Sequence, residues 1–383
     1  MRYMENVPEL LLFLAVWNMC FFWKWWKNPF LLSTSEVLSS YFPIWCYMKG
    51  RVLFKDDVYL EYPSAMGMYS PFYFLQNLLG FLCQKLPMDL KFIVFCYNIL
   101  VHYYLASVIA FFMLLQWFSP MVSIFGALTL VYNAHNIRLQ TPCFVFSSCW
   151  MMGVLIKGWV GAFCFGMALL GGYFPILITA LPILLFNPLS LLGTVIALPQ
   201  LISILWYYPK SIRAVSAPDP AWGRMPWKRY FMSLRFPENS VHYPEYSFNI
   251  GLCFFLAFFN WSWWWILVIF GLIGAQGAFN FARVPARFVY LVTISLVMTS
   301  LGALGAPRMH YLVLPLLLTQ LFLLWPNRAQ YPSFPFSQWW RKPSFWFTKY
   351  VKSAEWPYFT GYMWGKRHST YRGGFRLKEY NAE

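Results

Sequence analysis

Between Asp89 and Asp219 the chain carries no carboxylate at all, through a run that is almost continuously apolar. An ionised side chain in hydrocarbon costs roughly 2.5–3.5 kcal/mol on insertion scales, so a sequence that excludes acids over such a length reads as serial membrane crossings. A soluble domain carries about 25% charged residues. This chain has 11%, with 60% hydrophobic and 22% aromatic residues. The fold expected is all-α: one polytopic membrane helix bundle rather than a string of soluble domains.

Bilayer-crossing helices need roughly 17–25 apolar residues, fewer where tilt or local thinning permits. The clear candidates are about 8–26, 91–118, 188–208, 248–270, 288–305 and 309–325. Between 120 and 186 polar or glycine breaks at Asn133-Ala134-His135-Asn136, Lys157-Gly158 and Gly171-Gly172 give four short pieces near 120–132, 143–156, 159–170 and 173–186. Short, broken spans suit helices packed in protein or bordering a cavity. Residues 66–86 read either as a span or as an aromatic segment lying at the interface. With that segment at the interface the count is ten crossings, and a split at Asn260-Trp261-Ser262-Trp263 would make it eleven. Hydropathy leaves both counts open. The organisation expected is a bundle over 1–325 with outer loops 27–90 and 209–247, followed by a basic, aromatic membrane-surface tail over 326–383.

The formal charge of +16 raises nucleic acid as a partner. Its placement argues instead for lipid. From Arg328 onward ten Lys/Arg face only Glu355, Glu379 and Glu383, and aromatics are interleaved, as in Trp339-Trp340-Arg341-Lys342 and Trp346-Phe347-Thr348-Lys349-Tyr350. Basic residues attract anionic headgroups while Trp and Tyr settle at the membrane interface. The eight cysteines form no C-x-x-C pair, which argues against a metal or disulfide framework. The apolar run to Trp26 lacks a small-residue cleavage site and reads as a retained first helix.

Four of the thirteen acids, Glu36, Asp56, Asp57 and Glu61, fall in the first loop beside Tyr41-Phe42-Pro43-Ile44-Trp45 and Tyr69-Ser70-Pro71-Phe72-Tyr73. An acid next to aromatics that can stack on a sugar and exclude water suits a general base for an acceptor hydroxyl. A solvated loop with ordinary surface charges is the other reading. Asp56-Asp57 with Glu61 could ligate a divalent cation, Mg²⁺ or Mn²⁺, with substrate phosphate completing the shell. An acidic turn beside Lys55 explains the same residues. Arg283 and Arg287, in Phe281-Ala282-Arg283-Val284-Pro285-Ala286-Arg287-Phe288, and Arg138, after His135-Asn136, are guanidinium groups at candidate membrane boundaries. They suit bidentate phosphate binding, lipid headgroups or plain snorkelling. The proline-punctuated 209–247 loop, ending in Glu238, His242 and Glu245, reads as an ordered cap. There is no phosphate-binding P-loop, dinucleotide fingerprint, zincin motif or nucleophile elbow. A proton- or ion-coupled transporter places ionisable residues within its spans, which the acid-free centre does not.

The order of Glu36, Tyr41-Phe42-Pro43, Gly50, Tyr69-Ser70-Pro71, Gly171-Gly172-Tyr173, Glu245 to Gly251 and Arg283-Val284-Pro285-Ala286-Arg287-Phe288 resembles the YfhO-like bacterial membrane proteins of the GT-C class of lipid-linked-sugar glycosyltransferases. The resemblance covers about residues 8–320 in short pieces, and the first-loop acid is Glu36 where the family pattern more often has Asp. It implies a GT-C-like bundle in the bacterial inner (cytoplasmic) membrane. It also implies a polyprenyl-phosphate sugar as donor, with transfer to an acceptor at the outer face. On that reading Glu36 is the base, Asp56 or Asp57 assists or binds a metal, and Arg283, Arg287 and Arg138 hold the donor phosphate. The rivals are a non-catalytic subunit of a larger membrane protein complex and a lipid or small-molecule transporter.

Overall fold

The computed structural model describes residues 6–22, 103–133, 150–170, 184–185, 187–198, 201–202, 250–278 and 288–325. Helices account for nearly all of the regular structure there, and no strand occurs among the described residues. In chain order they are α1 (Val7–Phe21), α2 (Leu105–Leu114), α3 (Pro120–Tyr132), α4 (Trp159–Leu170), α5 (Cys253–Leu256), α6 (Trp264–Ala275), α7 (Val289–Leu304) and α8 (Val313–Leu324). Short 3-10 helices lie at Pro188–Val195, Ala257–Phe259 and Pro307–Leu312. The stretch Pro307–Leu324 is long and apolar enough to cross a bilayer, while the other apolar helices described here run 10–17 residues.

Helix α7 is the axis of the assembly. Every residue from Val289 to Leu301 is buried, although five of them, Tyr290, Thr293, Ser295, Thr299 and Ser300, carry hydroxyls. A buried hydroxyl needs an acceptor, and for three of these the helix supplies its own, while Ser295 Oγ is buried with no hydrogen-bond partner among the described residues. Thr293 Oγ1 donates to Val289 O at 3.0 Å, Thr299 Oγ1 to Ser295 O at 2.8 Å, and Ser300 Oγ to Leu296 O at 2.7 Å. Such bonds to the carbonyl four residues back let a helix bury hydroxyls without a separate polar partner.

Helix boundaries follow local chemistry. Pro120, whose missing N–H costs nothing in a first turn, opens α3 after an extended Ser119. Asn133 closes it by donating its side-chain amide to the carbonyls of Thr129 at 3.0 Å and Leu130 at 2.8 Å, two groups the ended helix leaves open. Gly158 has φ of 75° and lets the chain turn into α4. The turn before it leaves the carbonyls of Val154 and Ile156 unpaired within their own segment. Asn187 Nδ2 reaches both, at 2.6 and 3.0 Å, and Ser190 Oγ reaches Val154 O at 3.2 Å. The boundaries expected at 120–132 and 159–170 are those observed. The run expected as a span over 188–208 instead begins as a 3-10 helix, where Gly193 lies against the backbone of Ala162 so closely that a Cβ would collide with the Ala162 carbonyl. The 248–270 run is also not one helix. It breaks at Asn260–Trp263, where Asn260 Nδ2 donates to Thr299 O at 3.0 Å and the Trp265 indole donates to Asn260 O at 3.2 Å.

One buried side chain ties three segments together. Gln320 on α8 donates from Nε2 to Thr129 Oγ1 on α3 at 2.8 Å and to Ile250 O at 3.0 Å. Its Oε1 accepts from the Leu252 backbone N–H at 2.7 Å. Gly251, at φ 54°, lies against this amide, and a Cβ there would run into it. Ser300 Oγ on α7 then reaches Cys253 O at 2.7 Å in the next turn. Replacing Gln320 by Leu keeps the volume but strands the Leu252 N–H and Ile250 carbonyl. It should destabilise the protein by about 1–3 kcal/mol, read as a lowered unfolding midpoint of the detergent-purified chain, whereas Thr319→Val, at an exposed neighbour, should change little.

Candidate functional site

The contacts fix the relative directions of α1, α2, α3, α6, α7 and α8. Phe118, just before α3, lies beside Gly305 at the end of α7, and Gly126 lies against Leu301 and Leu114. Helices α3 and α7 are therefore antiparallel, as are α2 and α3. Gly271 and Gly274 of α6 pack on Val292 and Phe288, so α6 also runs against α7 and finishes at its start. Helix α8 follows the end of α7, passes Thr129 at Gln320, and brings Trp325 within 5.5 Å, ring centre to ring centre, of Trp17 near the end of α1.

One end of the bundle therefore gathers the ends of α1, α3, α6 and α8 and the beginnings of α2 and α7. Its centre is Tyr132, whose ring lies 5.0 Å from Phe21, 6.2 Å from Trp17 and 6.3 Å from Tyr103. Phe22 and Tyr103 sit 4.9 Å apart, so the chain leaves the described bundle after α1 and re-enters it before α2 at one place. Offset and edge-on ring pairs of this kind add about 0.5–1.5 kcal/mol each beyond simple burial. Tyr132 Oη donates to Asn18 Oδ1 at 2.8 Å, which satisfies the phenol without exposing it. The Trp17 indole N–H is buried beside them with no hydrogen-bond partner among the described residues. We refer to this as the tyrosine end.

The six residues expected to carry chemistry, Glu36, Asp56, Asp57, Arg138, Arg283 and Arg287, lie outside the described residues. What the structure fixes is where their segments are anchored. Residues 23–102, with the three acids, start after Phe22 and end before Tyr103. Arg138 follows five positions after Asn133, which closes α3. Arg283 and Arg287 fall in the link between Ala278 and Phe288, Arg287 being joined directly to the start of α7. All three segments open from the tyrosine end. A chain reaches at most about 3.3–3.6 Å per residue, which tethers Arg287 and Arg138 to that end closely and the acids more loosely.

The anchoring side chains, Asn18, Tyr132 and Gln320, were not singled out by the sequence reading. Their signal was available: each is a polar or hydroxyl-bearing group within an otherwise apolar helical run, and such a group is retained where it has a partner. Among the described residues no three His, Cys, Asp or Glu side chains gather as a metal site. Asp56, Asp57 and Glu61 lie outside them. Comparisons of the chain with family models, with curated proteins and with solved structures return no match.

The Tyr132–Asn18 bond can be tested alone. Tyr132→Phe should lower stability by about 0.5–1.5 kcal/mol. In combination with Asn18→Leu the two losses should fall short of their sum by a similar amount, measured by a double-mutant cycle of thermal unfolding.

Proposed function

We propose that this protein is a polytopic integral membrane glycosyltransferase of the GT-C kind, taking a sugar from a polyprenyl-phosphate donor. The observation that supports it best is the common anchoring of the segments bearing Glu36, Asp56, Asp57, Arg138, Arg283 and Arg287 at the tyrosine end. An acid and guanidinium groups from distant parts of the sequence are what lipid-phosphate sugar transfer requires on one face. The exposed apolar surface agrees with a lipid surround: Leu314, Leu318 and Phe322 line one side of α8, and Ile266, Ile269 and Ile273 one side of α6.

In the reaction Glu36 accepts the proton of an acceptor hydroxyl as its oxygen bonds to the anomeric carbon of the donor sugar. The bond from that carbon to the phosphate oxygen breaks, and the phosphate leaves with the electron pair. Attack from the opposite side inverts the anomeric centre. Arg283 and Arg287, with Arg138, hold the leaving phosphate, where fixed positive charge in a water-poor site lowers the barrier most. Asp56 or Asp57 orients the acceptor. The donor enters sideways from the bilayer, and transfer takes place at the face onto which the tyrosine end opens. The resemblance makes this the outer face of a bacterial inner membrane.

The test uses the full-length protein in its own membranes. It should resist extraction by alkaline carbonate. With a polyprenyl-phosphate sugar and an acceptor hydroxyl, Glu36→Gln should lower transfer by at least about a hundredfold, the lower limit for a positioned base, with the gel-filtration profile unchanged. Arg287→Gln should weaken donor use while Arg287→Lys restores part of it. Full activity in Glu36→Gln removes Glu36 from the mechanism, and release by carbonate removes the membrane bundle.

A further inference from the structure

We infer that the end of the bundle opposite the tyrosine end is a phospholipid-binding belt, in which Trp117, Phe259, Trp261, Trp263 and Tyr311 lie at the headgroup level and Arg308 meets lipid phosphate. This rests on the reading of the bundle as membrane-embedded, and not on the transfer reaction. The belt gathers where α7 ends. Asn260 Nδ2 donates to Thr299 O at 3.0 Å and lies against Gly302, which places the 259–263 turn there. Phe118 lies beside Gly305 and brings Trp117 with it, and Pro307–Leu312 follows α7 directly.

The two ends of the bundle use their aromatic rings differently. At the tyrosine end Trp17, Phe21, Phe22, Tyr103 and Tyr132 are all buried. At the other end Tyr311 is 92% exposed, Trp261 79%, Phe259 70%, Trp117 40% and Trp263 39%. The turn that presents the rings is fixed. Ser262 Oγ lies 3.4 Å from Thr299 Oγ1, the Trp265 indole donates to Asn260 O at 3.2 Å, and Trp261 stacks on Trp265 at 5.5 Å. Large rings held outward are unfavourable in water, whereas Trp and Tyr prefer the headgroup level of a bilayer.

Three observations give the lipid layer as the occupant. The first is charge: among the described residues of 250–325, Arg308 is the only Lys, Arg, Asp or Glu, and it is exposed at this end. A guanidinium there suits lipid phosphate. The second is the order of the exposed side chains. Below the rings the exposure continues as Ile266, Ile269 and Ile273 on α6 and as Leu314, Leu318 and Phe322 on α8. A protein capping the end would leave both aliphatic stripes uncovered, but a bilayer covers rings and stripes in its own sequence of interface and hydrocarbon. The third is length. Pro307–Leu312 is 3-10 and Val313–Leu324 is α-helical, which at about 2.0 and 1.5 Å per residue gives about 30 Å, the thickness of the hydrocarbon core. With Arg308 at one headgroup layer, Trp325 falls at the other, so the belt sets the depth at which the tyrosine end reaches the opposite face.

The test places a spin-label amino acid at position 261, 269 or 311 of the full-length protein in mixed phosphatidylcholine and phosphatidylglycerol bilayers. Collision with oxygen and with a water-soluble nickel chelate reads the depth. Labels at 261 and 311 should lie within the headgroup layer, about 5–7 Å thick, and the label at 269 in the hydrocarbon. Labels at 261 and 311 in bulk water, or shielded from both reagents by protein, overturn the belt while 269 in hydrocarbon upholds the membrane reading. A label at 269 in water overturns both. In bilayers of 22-carbon chains the label at 311 should keep its level, and the combined Phe259→Ala, Trp261→Ala and Arg308→Ala variant, altered only at exposed side chains, should let it sink by at least about 3 Å. Equal depth in the two proteins overturns the anchoring role.

Discussion

The bundle depends on settling buried polar groups without charge. Its central helix is buried from Val289 to Leu301 yet carries five hydroxyls, and among the described residues it meets its neighbours at hydrogen bonds from Ser300 to Cys253 O and from Asn260 to Thr299 O. Gln320 shows the constraint most clearly: one amide serves the hydroxyl of Thr129, the carbonyl of Ile250 and the N–H of Leu252. The irregular backbone at Gly251 and the start of α5 can lie inside the assembly because that amide completes them. Without it, two backbone groups would be buried unpaired, and a break in the helical path could not be placed there.

The same arrangement orders the chain. With α3 held to α8 and to the 250–253 turn at a single level, the antiparallel course of α7 follows, and the helix ends sort into two groups. Aromatic contacts around Tyr132 then bind the ends of α1, α3 and α8 to the beginning of α2. A site assembled from remote parts of the sequence needs a rigid frame that returns the chain repeatedly to one place. On the proposed function, the tyrosine end is that frame.

Much of the local structure was legible in the sequence and most of its spatial order was not. Pro120, Asn133 and Gly158 mark the limits of α3 and α4 through chemistry confined to a few residues, so the reading at 120–132 and 159–170 agrees with the structure. The polar Asn260–Trp263 interruption was visible for the same reason. The 3-10 start at Pro188 was not, because it arises from close approach of Gly193 to the Ala162 backbone, a contact between segments. Helix direction was hidden as well. Hydropathy is the same read from either end of a span, so it cannot say whether the acidic loop, Arg287 and the tail share a face. The positions proposed for chemistry, Glu36, Asp56, Asp57, Arg138, Arg283 and Arg287, came from residue type and order. Only their anchoring is set by the described structure.

The proposed function requires Glu36 and Arg287 to meet at one end of one bundle. The most direct measurement is a distance between spin labels placed at positions 36 and 287 of the full-length protein in a bilayer. The expected distance is well below the ~30 Å thickness of the hydrocarbon core. A distance at or beyond that thickness, with the two labels on opposite sides of the membrane, contradicts it.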